Sequence, residues 1–302
     1  MGGLESLNVC LRIVRPHIVT GGFLGYSLGT LLALVRGGAF SPSAFALGYA
    51  IVFFGDLSTH FSNDHFDLEL DRNAPSKTFG GRNVLVDHPE ARRLAMVLAL
   101  TFSAISVSLA FSMVNLLGHP PILLALAAFT NVLGWLYSAP PVRLNARCLG
   151  EATIAFGTGL AVPAVGYIVT SGLVDQLFLA FSAPLVLYGL ILGMSLEMPD
   201  LEVDRVGGKR NLVVWLGRRP VALLTFLTSV AATALFTLYS VVDFGRFWAL
   251  PVLSAAPIVA SSMGLLRRPH DHADADRLSA LNISALFIFL VALDGYLLTS
   301  LL

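Results

Sequence analysis

The segment Asp67-Leu-Glu-Leu-Asp-Arg72 occurs a second time as Asp200-Leu-Glu-Val-Asp-Arg205, 133 residues further along the chain. Each copy stands at the end of an apolar run, and about 20 apolar residues are enough to cross a bilayer as a helix. Ionisable groups are scarce in such surroundings, so their repetition indicates an internal duplication with a function. The sequence therefore predicts an all-α membrane protein with two similar halves.

Nine apolar runs of this length follow one another, and they predict nine transmembrane helices. The acidic segments end the second and the sixth run on the same side, which favours a parallel, four-helix internal repeat. We expect a single membrane domain over 1–302, with pseudo-repeats at about 10–138 and 145–266 and a ninth helix at about 279–301. The runs lie at about 16–35, 43–62, 94–116, 120–138, 150–171, 177–199, 220–241, 247–266 and 279–301.

The overall composition excludes a soluble globular enzyme. Only 13% of the 302 residues are charged and 56% are hydrophobic, whereas about a quarter of the residues in a soluble domain are charged. The 19 Lys and Arg are balanced by 19 Asp and Glu, so no net basic charge favours a nucleic acid backbone, and nucleic acid is not an expected partner.

The positions of the basic residues predict the orientation in the cell membrane. Lys and Arg gather in cytoplasmic connections, and with nine helices 17 of the 19 fall on one side, leaving Arg36 and Arg246 on the other. The N-terminus and both acidic segments are therefore expected in the cytoplasm and the C-terminus outside.

The two acidic segments have the chemistry of a magnesium site. In each copy two aspartates are four residues apart and share one helical face, which Asp56 and His60 extend inward in the first copy. Like charges at this spacing repel one another unless a cation lies between them. Oxygen ligands suit Mg²⁺ completed by water and phosphate, and two ions are expected. The candidate ligands are Asn63, Asp64, Asp67, Asp71, Asp200 and Asp204.

Basic loops with glycines follow both acidic segments, as Asn73-Ala-Pro-Ser-Lys-Thr-Phe-Gly-Gly-Arg82 and Val206-Gly-Gly-Lys-Arg-Asn211. Glycine lets backbone amides turn toward an anion, and Lys or Arg forms charge-assisted contacts with phosphate. Beside Mg²⁺, such loops predict a diphosphate site. The candidate residues are Lys77, Arg82, Lys209 and Arg210, although basic residues gather in cytoplasmic loops in any case.

The connection after the fourth run offers further candidates. Tyr137 is placed to line a cavity, and Arg143 or Glu151 to face an acidic or hydroxylated acceptor. An interfacial aromatic and an arginine whose charge reaches the membrane surface are equally consistent with the pattern.

The motifs Asn63-Asp-xx-Asp67-xxx-Asp71 and Asp200-xxx-Asp204 resemble the paired signatures of the UbiA superfamily of intramembrane prenyltransferases, and Arg15-Pro16 and Tyr137-Ser138 extend the resemblance. It implies nine helices around a lipid-open central cavity, a polyprenyl diphosphate held by Mg²⁺, and prenyl transfer to an aromatic or lipophilic acceptor. Leu149-Gly-Glu151 and the stretch from Asp204 to Gly217 look like the branch that prenylates 1,4-dihydroxy-2-naphthoate for menaquinone. The Arg-Pro pair that ubiquinone-type members carry after the first motif is absent.

The resemblance implies ionisation of the allylic C–O bond with Asp67 and Asp200 among the catalytic groups. The carbocation needs electron-rich faces, which Phe53, Phe54, Phe66, Tyr137 and Tyr188 are candidates to supply. Asp56 or His60 is expected to act as a base or to support the acceptor, unless the two only satisfy each other in the core. Arg15 is assigned to the acceptor or prenyl cavity.

Other functions fit parts of the pattern. Prenyl transfer to a glycerol phosphate lipid would need additional cations for the acceptor phosphate. An ion-coupled transporter also commonly carries an internal repeat, but its ions bind near the bilayer midplane, whereas these acids stand at helix ends. An alternative interpretation makes the acids solvated helix ends neutralised by Arg72 and Arg205, yet solvation does not require one hexapeptide twice.

Overall fold

The computed structural model describes residues 3–72, 74–79, 83–242 and 247–301. Within these residues, eight helical stretches are long and apolar enough to cross a membrane, and a ninth apolar helix, Ile122–Ser138, is 17 residues long. These nine stretches correspond to the nine apolar runs. The all-α, multi-pass fold expected from the sequence is confirmed.

The first half of the chain begins with an amphipathic helix that the apolar runs did not predict. Proline stands at the first position of α2 and α3, where its missing N–H costs no hydrogen bond. Ser41 caps α3 by accepting from the Ala44 amide at 3.4 Å. The helices are α1 (Gly3–Val14), α2 (Pro16–Val35), α3 (Pro42–Asp71), α4 (Arg92–Leu117) and α5 (Ile122–Ser138), with 3₁₀ turns at Val84–Val86 and Pro89–Ala91.

In the second half several spans are interrupted. The fifth span contains a π-helical segment, Gly157–Ala161, between two α-helices, and 3₁₀ turns stand at Leu144–Ala146 and Met198–Asp200. The helices are α6 (Gly150–Phe156), α7 (Val162–Ser171), α8 (Gln176–Glu197), α9 (Leu201–Val206), α10 (Leu212–Leu216), α11 (Arg218–Val242), α12 (Leu250–Leu253), α13 (Ala255–Arg267) and α14 (His272–Thr299).

The length of α3 explains where its acids lie. Its 30 residues rise about 45 Å, and the hydrocarbon core of a bilayer is about 30 Å thick. The helix therefore continues past the apolar layer, and its last two turns carry the first acidic segment beyond the span.

Two glycines bring α2 and α7 into backbone contact. A Cβ on Gly29 would lie 1.9 Å from the Pro163 carbonyl oxygen, and one on Gly166 would lie 2.1 Å from the Tyr26 carbonyl oxygen. Small residues allow such approaches between membrane helices. This contact joins the first and fifth spans, both of which contribute residues to the wall of the cavity described below.

One cluster of buried apolar side chains runs from Tyr26 in α2 to Leu297 in α14. It contains residues from both halves of the chain, as a single membrane domain requires. The parallel four-helix repeat itself stays a prediction.

Candidate active site

A cavity of about 380 Å³ lies inside the helix bundle. Its walls come from α2, α3, α5, the fifth span and α8, and both acidic segments contribute to its lining. Residues that are far apart in sequence are therefore brought to one place. Of the predicted site residues, those that line it are Arg15, Asp56, His60, Asn63, Asp64, Asp67, Asp71, Lys77, Tyr137, Asp200, Asp204 and Lys209.

Asp67 is buried and is held by neutral donors. Ser138 Oγ donates to its Oδ2 at 2.8 Å, and Asn145 Nδ2 donates to the same oxygen at 2.9 Å. A guanidinium nitrogen of Arg143 lies 3.9 Å from Oδ1, which has no hydrogen-bond partner among the described residues. Two neutral donors fix the carboxylate but leave its charge available to a cation.

The other acids of the first segment have different partners. Arg15 donates to Asp64 Oδ1 at 2.6 Å, so this arginine at the start of α2 neutralises an acid rather than projecting freely into the cavity. Asn83 donates to Asp71 Oδ2 at 3.0 Å and to the Asp64 carbonyl at 2.9 Å. The chain after the first segment thus folds back onto the helix that carries it.

The second acidic segment lies across a break in the helix. Asp200 ends the Met198–Asp200 turn and is the N-cap residue of α9, whereas Asp204 lies within α9. Pro199 lacks the amide that would continue α8. The two aspartates therefore do not share one continuous helix as Asp67 and Asp71 do, although both line the cavity.

Lysines neutralise the second segment. Lys77 forms an ion pair with Asp200 and thereby joins the loop of the first copy to the second copy. Lys209 lies 2.9 Å from Asp204 Oδ1, and Asn211 donates to Oδ2 at 2.7 Å. Burial by itself lowers the pKa of Lys209, but the Asp204 and Asp67 carboxylates outweigh it, so the pKa is raised and the ammonium stays charged.

Arg210 does not join these lysines. Arg210 is exposed and is not among the cavity-lining residues, while its backbone amide donates to the Ala146 carbonyl at 3.1 Å. Its assignment to the diphosphate has no geometric support here. Arg82 lies outside the described residues.

The oxygen atoms near the acidic end fit Mg²⁺. No three His, Cys, Asp or Glu side chains within the described ranges converge tightly enough to hold an ion by themselves. Mg²⁺ usually takes only one or two carboxylates directly and completes its shell with water and phosphate. Four predicted ligands present a buried oxygen without a hydrogen-bond partner in the described part of the chain: Asn63 Oδ1, Asp64 Oδ2, Asp67 Oδ1 and Asp200 Oδ1.

The three phenylalanines predicted to face the carbocation are not among the residues that line the cavity. Successive residues of an α-helix point about 100° apart. Phe54 is two positions before Asp56 and Phe66 is one position before Asp67, so their side chains point about 200° and about 100° away from these cavity-facing aspartates. The ring centroids of Phe53 and Phe54 lie 5.4 Å apart, and those of Phe66 and Trp135 lie 6.1 Å apart. None of the three lines the cavity.

Tyr188 is also absent from the cavity wall. Its ring centroid lies 4.9 Å from that of Phe289 and 5.9 Å from that of Phe236, in the core between α8, α11 and α14. Among the described lining residues Tyr137 is the one benzenoid side chain. The sequence could not distinguish a cavity face from a core face because both are apolar.

Arg143 and Glu151 stand behind the wall. Arg143 approaches Asp67, and Glu151 Oε1 accepts from the Leu212 amide at 2.5 Å. Neither residue lines the cavity. The structure thus places both residues beside the acidic end, and their contact with an acceptor stays a prediction.

Several site residues escaped the sequence interpretation. Ser138 and Asn145 are recognised only through their contacts with Asp67, whereas Glu197, a buried acid that lines the cavity, carried a signal as an ionisable residue in an apolar run. In the sequence, Arg218 is simply one of the 17 basic residues on the predicted cytoplasmic side. It is buried, contacts both Glu202 oxygens at 2.5 Å, and donates to the Met198 and Pro199 carbonyls at 3.0 and 3.2 Å.

Fold and site together define an integral multi-pass membrane protein with a polar, acid-rich cavity inside its helix bundle. The chain belongs to the UbiA prenyltransferase family, which matches residues 23–291. It is therefore a prenyltransferase, as the resemblance of its acidic motifs implied.

Curated relatives represent two kinds of prenyl acceptor. The 1,4-dihydroxy-2-naphthoate octaprenyltransferase of Bacillus subtilis (strain 168) is 25% identical over 236 residues, which cover 75% of this chain and 72% of the relative. The digeranylgeranylglyceryl phosphate synthase of Pyrococcus abyssi (strain GE5 / Orsay) is 25% identical over 266 residues, which cover 87% of this chain and 89% of the relative.

The fold is also that of a solved structure, a UbiA homolog from Archaeoglobus fulgidus bound to GPP and Mg²⁺. The TM-score is 0.65 at 19% identity, and the match covers 95% of this chain and 99% of the homolog. At this identity the likeness establishes the shared fold.

Proposed function

We propose that the protein transfers a prenyl group from a prenyl diphosphate to a hydroxylated aromatic acceptor in a Mg²⁺-dependent reaction. The acidic end of the cavity is the donor site. Asn63, Asp64, Asp67 and Asp200 would hold two Mg²⁺ ions through their buried oxygens, which have no hydrogen-bond partner among the described residues. The structural neighbour bound to GPP and Mg²⁺ supports this assignment.

The lysines complete the donor site. Lys77 and Lys209 line the cavity beside the acids, so their ammonium groups are placed to donate to diphosphate oxygens. Bound Mg²⁺ supplies further neutralisation of the charge on the leaving group. The allylic C–O bond breaks with its electron pair remaining on the diphosphate, and apolar lining residues such as Ile51 and Leu196 keep water from the cation.

A ring carbon of the acceptor then bonds to the allylic carbon, and the ring proton leaves to water or a carboxylate. We assign Tyr137, the lining benzenoid ring, to stabilisation of the cation through its face. Asp56 lies 11 residues, about 16 Å along α3, from Asp67. This distance suits an acceptor contact better than removal of a proton beside the diphosphate.

The charge of the cavity is the observation that favours an aromatic acceptor. The described lining residues include seven carboxyl groups and three cations, Arg15, Lys77 and Lys209, and each of these cations is paired with an aspartate. A glycerol phosphate acceptor would add a dianion, and none of the described lining residues is an unpaired cation that could receive it. A hydroxylated aromatic carboxylate adds one negative charge rather than two, and it also adds hydroxyl donors.

The inner part of the cavity offers acceptors for those hydroxyl groups. Asn131 Oδ1 and His60 Nδ1 are buried without hydrogen-bond partners among the described residues, and the Asp56 carboxyl group lies one turn from His60. Phosphate oxygens could not satisfy Asn131 Oδ1, because both groups accept hydrogen bonds. Ring hydroxyls donate to such atoms.

The assay uses purified protein in lipid nanodiscs with GPP, Mg²⁺ and one acceptor at a time. The acceptors are 1,4-dihydroxy-2-naphthoate, 4-hydroxybenzoate and a prenylated glyceryl phosphate lipid, and mass spectrometry identifies the product. We expect prenylation of an aromatic compound. A product with the phosphate lipid alone would establish the alternative that the Pyrococcus relative represents.

We further propose that the acidic end faces the cytoplasm, because the connections on that side carry most of the basic residues. Cys148 is exposed near this end, whereas Cys10 is half-buried. In a Cys10→Ser background, a membrane-impermeant maleimide should label Cys148 in inside-out vesicles. Labelling in right-side-out vesicles instead would reverse the orientation.

A further inference from the structure

The ring of His272, at the start of α14, bridges the backbones that lead into both halves of the donor site. Its Nδ1 lies 3.0 Å from the Pro199 carbonyl oxygen, and its Nε2 lies 3.2 Å from the Ser76 carbonyl oxygen. Carbonyl oxygens only accept, so each contact is a hydrogen bond when the ring nitrogen that faces the carbonyl carries a proton. Pro199 and Ser76 immediately precede Asp200 and Lys77, the two partners of the ion pair that joins the copies.

The same helix also holds the residue after Lys77. The Thr78 amide donates to Asp276 Oδ1 at 2.9 Å, and Thr78 Oγ1 donates to Oδ2 at 2.7 Å. Asp276 lies four residues after His272 and therefore on the same face of α14. The backbone is thus tied to α14 on both sides of Lys77.

The Pro199 carbonyl, which precedes Asp200, is also held by Arg218. Arg218 NH2 donates to the same Pro199 carbonyl at 3.2 Å and is itself held by Glu202. The Pro199 carbonyl therefore has a fixed position, and His272 locates the Lys77 loop relative to it.

We propose that the first turn of α14 is a positioning site for the donor diphosphate, in which His272 and Asp276 hold Lys77 against the second acidic segment. Neither residue lines the cavity, so both act through Lys77. This inference rests on the proposed prenyl diphosphate donor but not on the identity of the acceptor.

The physical reason is the cost of ordering a lysine. A long cationic side chain on an untethered loop loses backbone and rotamer entropy when it binds phosphate. Hydrogen bonds at Ser76 and Thr78 order the backbone before the substrate binds, so most of the backbone entropy cost is removed from the binding step. The tether should therefore act on diphosphate binding and leave acceptor binding unchanged.

The test measures Mg²⁺-dependent binding of GPP by calorimetry, together with the KM values for GPP and acceptor. For His272→Ala we expect the Kd and KM for GPP to rise about tenfold, as for the loss of hydrogen bonds that order the Lys77 loop. His272→Gln, which keeps one donating group, should restore part of the affinity. The KM for the acceptor should stay within about twofold.

His270→Ala is the matched control, because His270 is exposed and its ring contacts Arg219 and neither acidic loop. Thr78→Val is an independent variant in the exposed loop that removes one bond to Asp276 without altering a helix, and it should raise the Kd for GPP about threefold. Amide hydrogen exchange of residues 74–79 should increase in both Thr78→Val and His272→Ala.

Unchanged GPP affinity in His272→Ala and Thr78→Val overturns the inference, and so does an equal rise in the KM of GPP and acceptor. If wild-type protein does not bind GPP at all, the proposed donor is wrong instead. The binding assay thus separates the two failures without an acceptor.

Discussion

The two acidic segments share a hexapeptide but have opposite electrostatic surroundings. Asp67 is held by the neutral groups of Ser138 and Asn145 on an unbroken helix, whereas Asp200 and Asp204 are paired with lysines across a break at Pro199. A duplicated sequence has therefore acquired two different tasks. We infer that the first copy contributes most to Mg²⁺ binding and the second contributes most to holding the diphosphate.

The sharpest test compares the leading aspartates of the two copies. Asp67→Asn removes a carboxylate charge whose described ion-pair partner, Arg143, lies 3.9 Å away, so kcat/KM for prenyl transfer should fall about a thousandfold. Asp200→Asn also frees Lys77 for phosphate, and the fall should be closer to a hundredfold. Prenylation rates measured across a Mg²⁺ titration check both values; a larger loss in Asp200→Asn would contradict the division of tasks.

Lys209→Gln should produce the next largest effect. It removes a buried ammonium that lies 2.9 Å from Asp204, and we expect the KM for GPP to rise about a hundredfold through lost charge-assisted contacts. The exposed neighbour provides the control, since Arg210→Gln should change the KM less than twofold. Equal effects of the two substitutions would restore Arg210 to the diphosphate site.

Substitutions of the third residue in each hexapeptide, Glu69 and Glu202, should differ about tenfold in their effect on prenyl transfer activity. Glu202 pairs with the buried Arg218, which also fixes two carbonyl groups beside Asp200, whereas Glu69 forms an exposed pair with Arg72. Glu202→Gln should lower activity about tenfold and lower the thermal midpoint, because charged hydrogen bonds are worth about 1.5–3 kcal/mol. Glu69→Gln should behave as wild type in both measurements; a matching loss there would remove the distinction.

Ser138→Ala should have the smallest effect of the series. Asn145 continues to donate to the same Asp67 oxygen, so the carboxylate keeps one of its two donors. We expect a twofold to fivefold fall in kcat/KM at low Mg²⁺ and recovery at high Mg²⁺. A fall that persists at saturating Mg²⁺ would mean that Ser138 serves something other than the orientation of Asp67.

The sequence alone was enough to predict those features that depend on a single local pattern. Apolar runs of span length predicted the membrane helices, and the repeated aspartates predicted the acidic end of the cavity. Pro199 was also visible in the sequence, and its missing amide is enough to explain why the second copy leaves the helical path that the first copy keeps.

The remaining features depend on contacts between distant parts of the chain. Asn145 reaches Asp67 across 78 residues, and His272 reaches Ser76 across 196. No local pattern marks either contact. The sequence could not show that Phe54 and Phe66 lie away from the cavity lining. Aromatic residues are common on every face of a membrane helix, and only packing decides which face lines a cavity.

The π-helical segment Gly157–Ala161 sets the rotational register of the fifth span. One extra residue in a turn shifts the phase of the following helix by about 100°. Before it, the span packs on α8, where a Cβ on Gly193 would lie 3.0 Å from the Glu151 Cα; after it, the span packs on α2 through Gly166. Deleting a single residue here would thus change which neighbour the distal half meets, while leaving length and hydropathy almost untouched.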